Sequence, residues 1–141
     1  MKVALVILVA LALTGCGGHT SATPTQVARA WSAALDRNDN EAAGLLFADG
    51  AQIVQDGTQT LQTHSDAVRW NTSLPCGGRI ITLELRSKTQ VLVVFVLTER
   101  PHHTCDAPGG KAAAVFQVRN GKIVLWHQTA VPPQLAPGTY A

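Results

Sequence analysis

The hydrophobic pattern of this chain changes its period near Pro75. Before that point apolar residues recur at helical spacing, as in the stripe formed by Val27, Trp31 and Leu35. After it the period is two, as in residues 81–85, where every second side chain is Ile or Leu. Helices followed by strands in this order predict an α+β domain, with the helices packed on one face of a bent antiparallel sheet.

The first predicted helix is long and has a clear start. Thr23 is expected to be its N-cap, with Pro24 at the first helical position and Gln26 three residues after the cap. Residues 37–40 favour turns and caps, so the helix should end there.

Two shorter helices are expected to follow. The second should run through Phe47, and a short strand at residues 51–55 should come after it. The third should begin with Ser65 as its cap, because Asp66 then lies in the first turn, where a carboxylate is favourable.

Four strands in two hairpins are predicted for the second half of the chain. They are residues 79–86, 90–100, 111–119 and 122–129. Residues 91–97 are apolar without alternation, as expected of a strand covered on both faces, which predicts the centre of the sheet. Asn120-Gly121 joins the last two strands and favours a type I′ turn, which needs positive φ at both central positions.

An apolar run near the N-terminus ends on a cysteine. Lys2 precedes residues 3–13, a run too short to cross a hydrocarbon core of about 30 Å but suited to the h-region of a signal peptide. The run ends in Leu13-Thr14-Gly15-Cys16, which resembles the lipobox of bacterial lipoproteins. The resemblance implies that residues 1–15 are removed and that Cys16 is acylated. The alternative is an ordinary secretory signal in which Cys16 is incidental.

A lipidated Cys16 would tether the protein to the outer side of the cell membrane, because two acyl chains give stable attachment. Residues 16–23 are rich in Gly, Ser and Thr and should form a flexible linker. The domain should then occupy residues 24–131, and the proline-rich residues 132–141 should form a loose tail.

Two further cysteines are expected to form a disulfide bond, since an exported protein lives in an oxidising environment. If residues 79–86 and 90–100 form a hairpin, Cys76 and Cys105 lie just past the same end of the ladder. That places them within the Cα spacing of about 5.5 Å that a bridge needs.

The charge of the chain argues against a nucleic-acid partner. The formal charge of +2 includes Lys2, which leaves with the signal peptide, and no basic block is present. Serine nucleophile motifs and phosphate-binding loops are missing from the sequence, so no cofactor is expected.

The order of elements and several local patterns resemble the nuclear transport factor 2-like (NTF2-like) superfamily, which includes SnoaL-like and ketosteroid-isomerase-like domains. The patterns are "LLFADGAQIVQDG" after the second helix, "HSDAVRW" on the third and "NGKIVLWHQ" in the last strand. The resemblance implies a cone-shaped fold whose curved sheet wraps the helices around a cavity. The superfamily hosts isomerases, dehydratases, cyclases and proteins with no known reaction.

His127 is the first candidate for acid/base chemistry. Counting back from the Asn120-Gly121 turn pairs Ala114 with His127 and places the imidazole on one face with Phe116. A histidine there could act as a general base in a pocket. It could equally be a core histidine bonded to a backbone carbonyl, or a residue at a fraying strand end.

A metal site is considered and disfavoured at His102, His103, Cys105 and Asp106. Adjacent histidines on one loop point in different directions, and Cys105 has a better partner in Cys76. The sequence also offers no carboxylate pair for acid/base catalysis, because the aspartates fall at helix ends and turns. The single tyrosine, Tyr140, lies in the tail, so the oxyanion-binding tyrosines of the isomerases cannot be carried over.

In addition to His127, the candidate ligand-binding residues are Trp31 and Trp70. Trp126 is a third indole. Each indole could line an apolar cavity and offer one N–H to a ligand. The alternative is ordinary packing in the core or in a dimer. Trp31 is preferred because the first helix forms one wall of the cone in the superfamily.

The sequence therefore predicts a membrane-anchored extracytoplasmic lipoprotein, non-catalytic, that binds a small apolar ligand or an envelope partner. The alternative is an enzyme of the isomerase, dehydratase or cyclase type that uses His127 as acid or base. A homodimer through the exposed face of the sheet is a further expectation.

Overall fold

The computed structural model of the protein describes Gly18 and residues 20–135, which form an α+β domain as predicted. Its helices are α1 (Pro24–Asp36), α2 (Asn40–Leu45) and α3 (His64–Ser73). Its strands are β1 (Phe47–Val54), β2 (Thr58–Leu61), β3 (Gly77–Leu85), β4 (Gln90–Thr98), β5 (Lys111–Arg119) and β6 (Lys122–Thr129). A short 3-10 turn, Pro133–Leu135, follows the last strand. Within the described part of the chain, the helices are too short or too polar to span a bilayer.

The six strands form one sheet in the order β2-β1-β6-β5-β4-β3. Neighbouring strands are antiparallel except for β1 and β6, which are parallel. The prediction that residues 91–97 form the centre of the sheet is wrong, because β1 adds to the far side of β6 and makes β5 and β6 the central strands. Both faces of β4 are nevertheless covered: Val93 lies in the main core and Val94 in a second cluster on the other face.

Helix α1 begins as predicted. Thr23 and Gln26 form a reciprocal capping box, in which Gln26 N donates to Thr23 Oγ1 (3.2 Å) and Thr23 N donates to Gln26 Oε1 (2.9 Å). The apolar stripe of the helix is buried against the sheet. At the other end of α1, Ser32 Oγ donates to Gly78 O (2.6 Å) and Gly78 N donates to Asp36 Oδ1 (2.8 Å), which fixes the helix to β3.

The second helix is shorter than predicted. It ends at Leu45, and Phe47 already belongs to β1. The reason is sheet pairing: Phe47 pairs with Ile123, whose N–H donates to Leu46 O (2.8 Å). Tertiary hydrogen bonds of this kind outweigh local helix propensity.

The N-cap of the third helix lies two residues before the predicted cap at Ser65. Thr63 is the N-cap, because its hydroxyl accepts from Asp66 N (3.3 Å) while the Asp66 carboxylate accepts from Thr63 N (3.2 Å). This reciprocal box uses the same carboxylate that suggested the helix start.

The β5–β6 hairpin forms around Asn120 and Gly121, both with positive φ as a type I′ turn requires. Arg119 pairs with Lys122 as predicted. A bulge between Gln117 and Val118 then shifts the register by one residue.

The shift makes the predicted pairing of Ala114 with His127 wrong. Ala114 pairs with Gln128, and His127 pairs with Val115. A one-residue shift moves each later side chain of β6 to the opposite face of the sheet. It therefore turns Trp126 into the core and His127 outwards.

The predicted signal peptide (1–15), the lipid anchor Cys16 and residues 136–141 of the predicted tail lie outside the described residues. The predictions made for them are therefore not addressed by the fold.

Candidate ligand-binding pocket

A cavity of about 380 Å³ lies between α1 and the concave face of the sheet. This volume falls in the range of small-molecule sites in proteins. Its lining is mostly apolar and comes from α1, the α3–β3 connection, the loop before β5 and strands β4 to β6. The lining includes Trp31, Leu35, Leu74, Phe95, Leu97, Ala112, Ala114 and Trp126, with Gln55, Gln128 and Asp106 as its polar side chains.

Small residues on β3 and β5 leave the space open. Alanines at positions 112 and 114 stand where larger strand residues would fill the cavity. Gly77 lies at the edge of the pocket, where a Cβ would collide with the Asp36 carboxylate and lie 2.9 Å from Thr98 Oγ1. The glycine therefore lets the end of α1 approach β3 closely.

Trp31 stands where the sequence predicted it, on the cavity wall formed by α1. It is surrounded by aromatic rings at centroid distances of 5.4 to 6.3 Å: Trp70, Phe95, Phe116 and Trp126. Its Nε1 donates to Asn71 Oδ1 (2.8 Å), so its indole N–H is already satisfied within the protein. Trp31 therefore supplies shape and apolar surface.

Trp70 packs in the core behind the cavity wall. It is buried against Trp31, Phe47 and Trp126, and it is not among the residues that line the cavity. Its contacts are those of a core side chain.

Trp126 lines the cavity, and its indole N–H is unpaired among the described residues. Its Nε1 is buried and has no hydrogen-bond partner within the described structure. Leaving such a donor unpaired costs about 1–3 kcal/mol. An acceptor on a ligand could recover that free energy if the indole turned to bring its buried Nε1 to the cavity surface. The sequence identified Trp126 only as a third indole, because the bulge that turns it inwards carries no sequence signature.

His127 lies on the outer face of the sheet. It pairs with Val115 of β5 and Val54 of β1, and Val115 packs against the outer cluster that contains Val94. The cavity lining does not include it. Of the three predicted site residues, Trp31 and Trp70 are thus in contact, with Trp31 in the lining and Trp70 packed behind it, whereas His127 faces away.

The predicted disulfide is present between Cys76 and Cys105, whose Cα atoms are 4.5 Å apart. Cys76 lies in the pocket lining, and Asp106 Oδ1 is 3.4 Å from its sulfur. Among the described residues, Cys76, Cys105 and Asp106 are the group that converges as metal ligands would. Because both sulfurs are used in the disulfide, neither is available as a thiolate ligand.

Arg100 is a residue at the pocket end of the domain for which the sequence gave no signal. It is almost fully buried, and its Nη1 donates to Asn71 O (3.0 Å) and Leu74 O (2.9 Å) at the end of α3. Its Nη2 donates to the side-chain oxygens of Asn38 and Asn40, each at 2.6 Å. Arg100 therefore ties the loop after β4 to two other segments.

The charges around this cluster shift two pKa values. Burial lowers the pKa of Arg100, although the nearby Asp36 carboxylate acts in the opposite direction. Desolvation and the positive charges of Arg100 and His102 lower the pKa of His103. His103 Nε2 lies 3.1 Å from Asn38 Oδ1, the same oxygen that Arg100 contacts.

Comparison with solved structures identifies the fold. An NTF2-like protein of unknown function from Cytophaga hutchinsonii matches with a TM-score of 0.63 and 12% identity, over 83% of this chain and 97% of that one. A protein of ketosteroid isomerase-like fold from Catenulispora acidiphila, in complex with trimethylamine, matches with a TM-score of 0.59 and 21% identity, over 77% and 87%. A putative polyketide cyclase from Sinorhizobium meliloti matches with a TM-score of 0.59 and 17% identity, over 73% and 93%.

These similarities establish an NTF2-like fold for this chain and no more, because the identities are low. No protein-family model matches the sequence. No curated protein matches it either.

Proposed function

We propose that the protein is a lipid-anchored extracytoplasmic lipoprotein that binds a small apolar ligand in the NTF2-like pocket, without catalysing a reaction on it. The observation that carries the proposal is the mostly apolar cavity of about 380 Å³ lined by Trp31 and Trp126. The Nε1 of Trp126 is buried and has no hydrogen-bond partner among the described residues. Such a site favours a ligand that is apolar over most of its surface and has one hydrogen-bond acceptor.

The extracytoplasmic location is supported by two independent features. Leu13-Thr14-Gly15-Cys16 resembles a lipobox, and the Cys76–Cys105 disulfide is of the kind that persists in oxidising compartments. The anchor itself can be tested by intact-mass analysis of the membrane-extracted protein. A diacylated N-terminal Cys16 supports the proposal, and an unmodified Cys16 contradicts it.

A non-catalytic role is supported by the composition of the lining. Among the described residues of the pocket, Asp106 is the titratable side chain, and it is exposed at the mouth. Acid/base catalysts are usually found in apolar surroundings that bring their pKa toward neutrality. The described lining of this pocket therefore offers no buried acid or base.

The binding proposal can be tested with two fluorescent probes of similar size. Prodan is apolar and carries a carbonyl acceptor, whereas N-phenyl-1-naphthylamine is apolar and carries none. Both should bind the pocket. The substitution Trp126→Phe should weaken prodan binding by about fivefold, the equivalent of one hydrogen bond, and should change N-phenyl-1-naphthylamine binding much less.

Trp70→Phe is the matched control, since it makes the same change at an indole outside the lining. It should leave the affinities of both probes nearly unchanged. Equal losses for the two tryptophan variants, or failure of both probes to bind, would contradict the proposal.

An enzyme with His127 as acid or base is a weaker alternative. Two of the matching solved structures are described as putative polyketide cyclases, so the fold is compatible with an enzyme. In this chain, however, the register shift turns His127 to the outer face. His127→Ala should therefore leave prodan binding unchanged. A large loss would favour the alternative.

The homodimer through the sheet remains a proposal as well. Leu92, Val94 and Ala113 form a buried cluster on the outer face, and Val131 packs against them. Part of this face is thus covered within one chain. Light scattering on the purified protein would decide between monomer and dimer.

A further inference from the structure

The two ends of the domain differ in charge, and only one of them contains the pocket mouth. The β3–β4 turn and the β5–β6 turn lie at one end, beside the segment that leads into α1. We call this the hairpin-tip end and define it as residues 20–24, 84–89 and 118–122. The pocket mouth lies at the opposite end, where β3 and β5 begin and β4 ends. Nine residues of β5 separate the two ends by about 30 Å.

The N-terminal segment is held at the hairpin-tip end. Ser21, Ala22 and Thr23 share a shallow groove with Lys88 and Arg119. The contact is close, because a Cβ built on Gly121 would lie 3.3 Å from Ala22 N. Whatever Cys16 is attached to must therefore lie near this end, since the seven residues from Cys16 to Thr23 reach at most about 25 Å.

The hairpin-tip end is basic. It carries Arg86, Lys88, Arg119 and Lys122, and its one acidic residue, Glu84, is paired with Arg86 at 3.5 Å. Lys88 and Arg119 are exposed and take part in no ion pair with a described residue. Helix α1 also directs its N-terminus here, with no acidic residue in its first turn, so the positive end of its dipole adds to the potential.

Exposed apolar side chains lie on and next to the same end. Leu85 is 63% exposed and Leu45 is 57% exposed, the highest values among large apolar residues of the described chain. Leu85 precedes Arg86 at the β3–β4 turn. Leu45 lies beside Lys122, whose ammonium donates to its carbonyl. Basic and apolar side chains together fit the interface of an anionic membrane.

We propose that the hairpin-tip end is a docking surface for anionic lipid headgroups, and that docking there orients the pocket mouth away from the membrane. The inference rests on the proposed lipid anchor. From Cys16 to Ser21, where the groove begins, the chain reaches at most about 18 Å, which keeps the basic end within about two Debye lengths of the headgroups. The ligand would then enter from the aqueous side.

The test uses the membrane-extracted protein reconstituted into two kinds of vesicle, phosphatidylcholine alone or about three parts phosphatidylcholine to one part phosphatidylglycerol. Lysines are acetylated briefly with an amine-reactive ester and quantified by mass spectrometry. In the anionic vesicles Lys88 should react at least about threefold more slowly than in the neutral ones, and added salt should remove the difference. Lys111, at the pocket end, should react equally in both.

Charge reversal supplies the matched pair of variants. Arg119→Glu, at the hairpin-tip end, should abolish the protection of Lys88. Arg79→Glu reverses an exposed arginine near the pocket end of β3 and should retain the protection.

Flotation on the same vesicles separates the two proposals. Co-flotation with both vesicle types and equal labelling of Lys88 in both would overturn the docking surface and leave the anchor intact. Flotation with the anionic vesicles alone would support the docking surface and refute the anchor. Failure to float with either would refute both.

Discussion

Trp31 and Asn71 are joined by a buried hydrogen bond of 2.8 Å between Nε1 of the indole and Oδ1 of the amide. Asn71 is fully buried, and its Nδ2 donates to Ala67 O (2.8 Å) in the preceding turn of α3. The bond fixes the pocket wall formed by α1 to the helix behind it. Trp31 can therefore present its ring to the cavity without leaving its N–H unpaired.

Replacing Asn71 by leucine should destabilise the protein by about 2–3 kcal/mol, because the buried indole N–H loses its acceptor. Urea unfolding would measure the change. The control is Thr72→Val on the same helix, which removes the exposed bond from Thr72 Oγ1 to Val68 O and should cost less than about 0.5 kcal/mol. Equal losses for the two variants would contradict this account of Asn71.

The disulfide should contribute about 3 kcal/mol to the free energy of unfolding, since it closes a loop between Cys76 and Cys105, 29 positions apart. The double variant Cys76→Ala, Cys105→Ala should show this loss in denaturant unfolding, and the unmodified protein in reducing buffer should approach the same value. Alkylation of the native protein followed by mass spectrometry checks the bond directly. Alkylated Cys76 or Cys105 would refute it.

The cap of α3 should make stability depend on acid pH. Desolvation acts to raise the pKa of Asp66. The backbone N–H groups of Thr63 and Gln62 and the Arg69 guanidinium act to lower this pKa, and their combined effect is larger, so the net shift is downward. A carboxyl whose pKa is lower in the folded state adds stability above its unfolded pKa of about 3.9. That stability is lost as the pH falls through the folded pKa.

Asp66→Asn should remove this part of the pH dependence, whereas Ser65→Ala, in the same turn, should keep it. Unfolding curves recorded between pH 2 and pH 6 would measure the effect, with NMR titration of Asp66 as a direct check. A native pKa at or above the unfolded value would contradict the prediction.

The sequence predicted those features that depend on neighbouring residues. The capping box of α1 and the Asn120-Gly121 turn need only local residues, and both formed as expected. The disulfide followed from the hairpin geometry that brings Cys76 and Cys105 to one end of the ladder. Local chemistry was sufficient for the cap and the turn, and the pairing of one hairpin was sufficient for the disulfide.

The features that were missed depend on distant contacts. The register shift between Gln117 and Val118 leaves Val124 of β6 without a partner on β5 and decides whether Trp126 or His127 faces the cavity, yet no residue type marks it. The parallel pairing of β1 with β6 draws Phe47 out of the predicted helix for a similar reason. A pocket whose lining depends on strand register is therefore harder to predict than the fold that contains it.

Arg100 should be irreplaceable by lysine, although both side chains are cationic. The guanidinium donates from Nη1 to two backbone carbonyls and from Nη2 to Asn38 and Asn40. A single ammonium cannot span these acceptors, so Arg100→Lys should cost about 2–4 kcal/mol in urea unfolding. Arg37→Lys, at the exposed end of α1, should change stability by less than about 0.5 kcal/mol.

A second measurement separates the charge of Arg100 from its geometry. Besides desolvation, the positive charge of Arg100 lowers the pKa of His103. Arg100→Met should therefore raise the pKa of His103 in an NMR titration, whereas Arg100→Lys keeps the charge and should leave it low. Because both variants lose the four hydrogen bonds, both should unfold at lower urea. An unchanged His103 pKa in the methionine variant would contradict the proposed effect of the Arg100 charge. Wild-type stability in the lysine variant would contradict the role given to the hydrogen bonds of the guanidinium.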